Sequence, residues 1–336
     1  QSRKIINLPS WDFSRDGKSW SQVAVPHDWA ISGPFDKKWD LQMVAIEQNG
    51  EKEKTEKSGR SGALPWIGEG MYKLNLQLPK GYKRAVLVFD GAMSLPVVSV
   101  NGKEAGRWAY GYNAFRIDIT PYVKFGGKKN LVEIHLNNVE ESSRWYPGGG
   151  LYRPVSVELY GNENFSTWET FVRTLKADKQ EAEVEVNALL EGKIGKSGKT
   201  VIALIDEAGT KVAEQTVSGA TPAIKTALKV SNPQLWSPES PYLYQVKLIR
   251  YEGKKVADVQ TLKTGIRTIS VSRNNGFQLN GITRKIKGVC LHHDLGPLGA
   301  AENKAALIRQ IKTMKEMGCD AIRTAHNMPS TMQMEI

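Results

Sequence analysis

The chain has 336 residues, 40% of them hydrophobic and 24% charged, with a formal net charge of +11 and two cysteines. That length accommodates two or three domains, and no run approaches the roughly 18 to 20 apolar residues that a membrane-crossing helix needs. The excess of Lys and Arg does not mark a nucleic-acid binder. The basic residues are dispersed, the densest charged stretch (EKEKTEK, 51–57) mixes both signs, and there is neither an arginine-rich arm nor a zinc spacing.

The first residues, QSRKIINLPSWDF, contain no Met and no apolar core of a signal peptide, so they read as a mature or trimmed terminus. Up to about Glu163 the chain consists of short strands between turns. GMYKLNLQLP puts Tyr72, Leu74, Leu76 and Leu78 on one face, and RAVLVFDGA, PVVSVNGKEAG and NLVEIHLNN follow, broken by Asp-Gly and Asn-Gly turns. This predicts an all-β sandwich over 1–163, with a charged, Gly-containing surface loop from Ile46 to Gly70. Seven of the nine Trp residues precede Glu163, and most are expected to pack in cores or between domains. His27, Asp28 and Trp29 read as a structural corner, because no Ser nucleophile stands near them in a strand-to-helix elbow. Gly148 to Gly150 read as a tight turn, since LYRPVSVEL after them is a strand and not the helix of a phosphate loop.

From about Asn164 the alternation becomes cleaner. EAEVEVNALL places Ala182, Val184, Val186 and Ala188 inward, with Glu181, Glu183 and Glu185 outward. VIALIDEAG, TALKV and YLYQVKLIRYEGKKV supply further strands, and the set predicts an immunoglobulin-like sandwich over 164–268. Beyond it FQLNG leads into a small hairpin, and TRKIKGVCLHH reads as a strand ending in two histidines. ENKAALIRQIKTMKEMG is a helix with Leu307, Ile311, Met314 and Met317 at helical spacing and Gly318 as its stop. CDAIRTAHN is a second apolar strand. Strand, helix and strand open a parallel α/β unit over 269–336. A closed (β/α)₈ barrel needs about 250 residues, so this unit reads as a truncated start whose two strands, apolar on both faces, form the least stable part. Cys290 and Cys319 are expected as buried thiols, not a disulfide.

Polar residues gather at the C-terminal ends of these two strands. Arg323, His326 and Asn327 end the second, and His292, His293 and Asp294 end the first. His-His-Asp has donors suited to a metal, but successive strand residues point in different directions, so no metal is expected. Arg144 and Trp145 occupy the loop before LYRPVSVEL.

Several stretches, in this order, carry a family resemblance: VAVPHDWAISGPF, EGMYKLNLQLP, SRWYPGGGLYRPVSVEL, LWSPESPYLYQVKL, GIRTI, FQLNG, KGVCLHHD and CDAIRTAHNMPS. The chain resembles glycoside hydrolase family 2, the β-galactosidase and β-glucuronidase family, and in particular its Bacteroidetes members. The resemblance implies a sugar-binding jelly roll, an immunoglobulin-like domain and the start of a catalytic (β/α)₈ barrel. It also implies retaining hydrolysis of a terminal β-glycosidic bond by two glutamates on later barrel strands. Both lie beyond residue 336, so the chain by itself is expected to be inactive and to hold no catalytic residue. His326 is implied to line the sugar pocket, joined by Asn327, His292, Asp294, Arg323, Arg144 and Trp145, with Arg323 tied to a carboxylate. Relatives often carry Pro directly after the residue at Asn327, whereas here Met328 intervenes before Pro329. The implied partner is a carbohydrate, such as a terminal β-galactoside, without nucleic acid or membrane span. No cofactor is implied, a structural or activating cation and a homo-oligomer are left open, and the resemblance points to the periplasm or outside. The competing reading is a non-catalytic carbohydrate-binding or adhesion protein; the RTAHN strand speaks against it, since such an array has no use for half a barrel.

Overall fold

The computed structural model describes residues 2–36, 66, 68–139 and 145–336. It is mostly β, with two α-helices near the C-terminus among the described residues. The chain forms two compact units, one of residues 1–4, 81–83 and 159–286, the other of residues 5–80, 84–158 and 287–336.

In the first unit two antiparallel sheets enclose one apolar core. One sheet contains Glu163–Phe165, Phe171–Ala177, Glu181–Gly192 and Ala223–Ser231; the other runs Lys211–Ser218, Gly198–Ile205, Tyr244–Glu252, Lys255–Thr264. Val184, Val186 and Leu190 meet Ile202, Leu204, Val246 and Leu248 in the core, as period-2 alternation dictates. Glu185 lies on the outward face, as its alternation with Val184 and Val186 requires, yet it is buried. Its strand is paired on both sides, and the cross-strand residue Arg173 (2.8 Å) and Lys225 (3.3 Å) cover the carboxylate. Two further ion pairs are buried: Arg250 with Glu163 at 3.2 Å, and Arg3 with Asp258 at 2.9 Å. Ile269–Ser272, Gly276–Leu279 and Ile282–Thr283 form a small antiparallel sheet, one strand more than a hairpin.

The second unit carries a four-stranded sheet (Lys4–Asn7, Val155–Tyr160, Arg84–Phe89, Phe115–Asp118). Its six-stranded sheet runs Ser21–Ala24, Ser10–Ser14, Glu69–Gln77, Lys129–Asn137, Val97–Val100, Lys103–Arg107. Tyr72, Leu76 and Leu78 are buried as expected. Glu69 and Gly70 belong to a strand instead of the expected surface loop, the rest of which lies almost wholly outside the described residues. Trp11 and Trp29 are fully buried, whereas Trp108 and Trp168 are 38% and 57% exposed.

The same unit includes the strand–helix–strand segment. Gly288–Leu291 pairs in parallel with Ala321–Thr324, and α1 (Lys304–Glu316) connects them. Asn303 caps α1 by accepting from Ala306 N at 3.0 Å, and Gly318 (φ +89°) ends it in the left-handed region that glycine adopts freely. A short α2 (Thr331–Glu335) follows. Both strands are shorter than the apolar runs imply, beginning only at Gly288 and Ala321. Cys290 is exposed and Cys319, in the link after α1, is half-buried, which corrects the buried-thiol reading.

Candidate functional site

Parallel pairing brings the C-terminal ends of the two short strands to the same edge, with Leu291 opposite Thr324. The residues that follow therefore converge. His292 and His326 lie 5.7 Å apart, ring centroid to centroid, and Trp145 stands 5.3 Å from the first and 5.4 Å from the second. The sequence reading placed these three in one site, and the structure brings them together. His326 adopts φ +65°, a left-handed conformation that costs a non-glycine residue roughly 1–2 kcal/mol. Such local strain is a mark of functional positions.

Arg323 sets the protonation pattern of His326. Its Nη2 lies 3.1 Å from His326 Nδ1, and a guanidinium only donates, so Nδ1 accepts and Nε2 carries the ring proton. His326 thus offers a hydrogen-bond donor to whatever occupies the site. Arg323 Nη1 reaches Cys290 Sγ at 3.7 Å. No carboxylate among the described residues is tied to it. Among the described residues its partners are a thiol and an imidazole, because the adjacent parallel strand places Cys290 directly opposite it.

His293 has a different role. Its Nε2 donates to Pro147 O at 3.1 Å, and the rings of Tyr112 and Tyr152 meet it edge-on at 5.2 and 5.8 Å. Burial pushes its pKa down to about 4, so it is neutral and structural. His292 and His293 diverge as adjacent residues at a strand end do. Asp294 is half-buried, and its charge, with that of Asp28, holds the Tyr146 phenol well above its usual range behind the larger effect of burial.

Two buried polar side chains fix the loops around this cluster. Asp28 accepts from Ala30 N (2.9 Å), Gly149 N (2.9 Å), Ala300 N (2.8 Å) and Tyr146 OH (2.5 Å). One carboxylate thereby joins the corner after Pro26, the YPGGGL turn and the loop after the first parallel strand. Burial raises its pKa against the pull of those four donors. The turn must be glycine here: at Gly148 (φ +73°) a Cβ would collide with Ala300 Cβ. Arg153, 4% exposed, donates to Asp90 O (3.1 Å), Tyr112 O (3.1 Å) and Met328 O (3.0 Å). It brackets the loop before Phe115 against the segment after His326.

From that loop Tyr110 OH donates to Asn327 Oδ1 at 2.9 Å. Sequence reasoning missed Tyr110, Tyr112 and Arg153; the only signal was the aromatic alternation in WAYGYNAF. Arg144 lies outside the described residues. A separate cleft of about 460 Å³ in the same unit is lined by Phe13, Arg15, Asp16, His27 and Trp29, among others. His27 there is held neutral, its pKa pushed to about 4 by burial and then by the charge of Arg15, and its Nδ1 lies 2.7 Å from Tyr72 OH. These contacts suit the structural corner read from the sequence.

Comparison with known proteins identifies the class to which this fold belongs. Residues 168–267 match the family model described as glycosyl hydrolases family 2. The chain is 36% identical over 321 residues to the β-galactosidase BoGH2A of Bacteroides ovatus, covering 93% of this chain and 36% of that protein. To a β-glucuronidase of Bacteroides fragilis it is 30% identical over 291 residues, 80% of this chain and 41% of that one. A crystal structure of a glycosyl hydrolase family 2 member from Bacteroides cellulosilyticus superimposes with a TM-score of 0.87 at 33% identity, over 98% of this chain and 44% of that one. The chain belongs to glycosyl hydrolase family 2. It spans well under half the length of these curated relatives.

Proposed function

We propose that the protein carrying this chain is a retaining exo-β-glycosidase, most like the β-galactosidases. In this reading residues 1–163 are a sugar-binding jelly roll, 164–268 an immunoglobulin-like sandwich and 269–336 the opening of a (β/α)₈ barrel. Both catalytic carboxylates belong to protein outside residues 1–336. Here the strand ends form one wall of the sugar pocket: His326 donates from Nε2 to a sugar hydroxyl, and Asn327 and His292 add polar contacts. Trp145 closes the imidazole pair from the side, while Asp294 and Arg323 complete the rim; for Arg144 a substrate contact rests on the family resemblance alone. The observation that supports this best is the Trp145–His292–His326 cluster, three rings within 5.3–5.7 Å at the C-terminal ends of parallel strands, the end where such barrels build their sites. The substrate class in this reading is a terminal β-galactoside, with a β-glucuronide as the alternative, since the chain is similar to β-galactosidases and β-glucuronidases alike.

His326→Ala in the full protein, assayed on aryl β-galactoside and aryl β-glucuronide, tests the reading. A donor that strengthens as charge develops on the sugar is worth about 2–4 kcal/mol, so kcat/KM should fall by roughly 30- to 1,000-fold. An unchanged kcat/KM would leave His326 as a packed histidine.

A further inference from the structure

We infer that Tyr110 is a positioning residue for this site, a role that rests on the glycosidase reading above. Tyr110 lies on the loop between the strands Lys103–Arg107 and Phe115–Asp118, 217 residues from its partner Asn327. Its ring is 49% exposed, so it adds little to any core. Its one polar atom nevertheless reaches the strand end, where the hydroxyl donates to Asn327 Oδ1 at 2.9 Å.

That contact holds the Asn327 side chain in place. A carboxamide has an acceptor at one end and two donors at the other, and its orientation is free unless a partner fixes it. With Oδ1 occupied by the phenol, Nδ2 is turned the other way. It is buried and has no hydrogen-bond partner among the described residues. An unsatisfied buried donor is costly, so the hydroxyl on Oδ1 is the one side-chain hydrogen bond that holds Asn327 among the described residues. The neighbouring residue is set up in the same sense. Arg323 occupies Nδ1 of His326 and leaves Nε2–H as donor. Arg323 thus fixes a donor on His326, and Tyr110 holds the side chain of the next residue, Asn327.

The spacing that makes the Tyr110 contact possible is itself fixed. Arg153 donates at once to Tyr112 O, two residues after Tyr110, and to Met328 O, one residue after Asn327. This buried guanidinium holds the two backbones in register, so the phenol finds the amide without searching. Tyr110 then acts through Asn327 and touches no reacting atom. Its function is to hold the Asn327 side chain in place beside His326 at the edge of the sugar pocket.

Three variants test this: Tyr110→Phe, which keeps the ring and removes the hydroxyl, Asn327→Ala, and the double substitution. The Asn327 side-chain NH₂ signal of the ¹⁵N-Asn-labelled full protein, assigned by its loss in Asn327→Ala, reports on the contact directly. Tyr110→Phe should shift this signal and speed its hydrogen exchange at least fivefold, with the melting temperature unchanged. An unmoved signal overturns the inference whether or not the protein turns over a glycoside. In the full protein, Tyr110→Phe should lower kcat/KM for aryl β-galactoside about fivefold, chiefly by raising KM, and should have no effect once Asn327 is Ala. An equal loss in both backgrounds shows that Tyr110 acts elsewhere and likewise overturns the inference. If the amide signal moves but the unaltered full protein hydrolyses no glycoside, the orienting contact stands and the glycosidase reading falls.

Discussion

Replacing Asp28 by Asn probes how the second unit holds its loops together. The side chain is 2% exposed, and its two oxygens divide four donors between them: Ala30 N and Gly149 N on Oδ1, Ala300 N and Tyr146 OH on Oδ2. The substitution keeps the shape and turns one acceptor into a donor. Its NH₂ goes to the Oδ2 side, because a phenol can rotate to accept and a backbone N–H cannot. Ala300 N–H then faces another donor, which leaves a buried group unsatisfied at about 1–3 kcal/mol. The two bonds on the retained oxygen lose their charge assistance, roughly 1 kcal/mol each. The sum is about 3–5 kcal/mol, a large part of the 5–15 kcal/mol that folded domains typically possess. Urea unfolding followed by tryptophan fluorescence reads this as a lower midpoint with an unchanged slope. Hydrogen exchange should show the loss in residues 5–80, 84–158 and 287–336 and spare the other unit. A cost below 1 kcal/mol would refute the reasoning, since it would mean that the carboxylate is not what joins the three loops.

Two further outcomes are expected. His293 and His27 titrate near 4 in the folded protein, against about 6.5 unfolded, so the unfolded chain binds more protons between those values. Stability is then complete above about pH 6.5 and falls as the pH drops toward 4, each histidine contributing on the order of 3 kcal/mol; urea midpoints at pH 7, 5.5 and 4.5 should show this, and His293→Gln should halve the slope. In the other unit, Arg250→Met strands the Glu163 carboxylate, whose side chain is fully buried, and should cost about 3–5 kcal/mol. Thermal unfolding checks it, and adding Glu163→Gln should restore part of the loss.

How much of this could be read in advance depended on how local the cause was. The inward set Ala182, Val184, Val186 and Ala188 follows from a period of two, and each is buried. The α1 stop at Gly318 follows from one residue's backbone freedom. The meeting of His292 with His326 was accessible because parallel pairing of two apolar strands places their C-terminal ends side by side, whatever the distance along the chain. Glu185 escaped because alternation predicts a direction, while burial depends on whether neighbouring strands carry long basic side chains that cover that face.

The same limit explains the site residues that the sequence concealed. Asp28 and Ala300 are 272 residues apart, and nothing in VPHDW signals that its carboxylate will accept from the backbone of a loop after a parallel strand. Tyr110 looked like one more aromatic in a β-rich segment; only its hydroxyl's partner distinguishes it. Apolar residues declare themselves by period, because their burial is a property of a whole face. Polar residues that orient a site act through single bonds of fixed direction, formed only after two distant loops have been brought into register. In this chain Arg153 sets one such register by hydrogen bonds to carbonyl oxygens alone, and any residue can supply a carbonyl. The contacts that order the candidate site therefore leave almost no trace in residue types, and the aromatic and imidazole groups that they order are what the sequence shows.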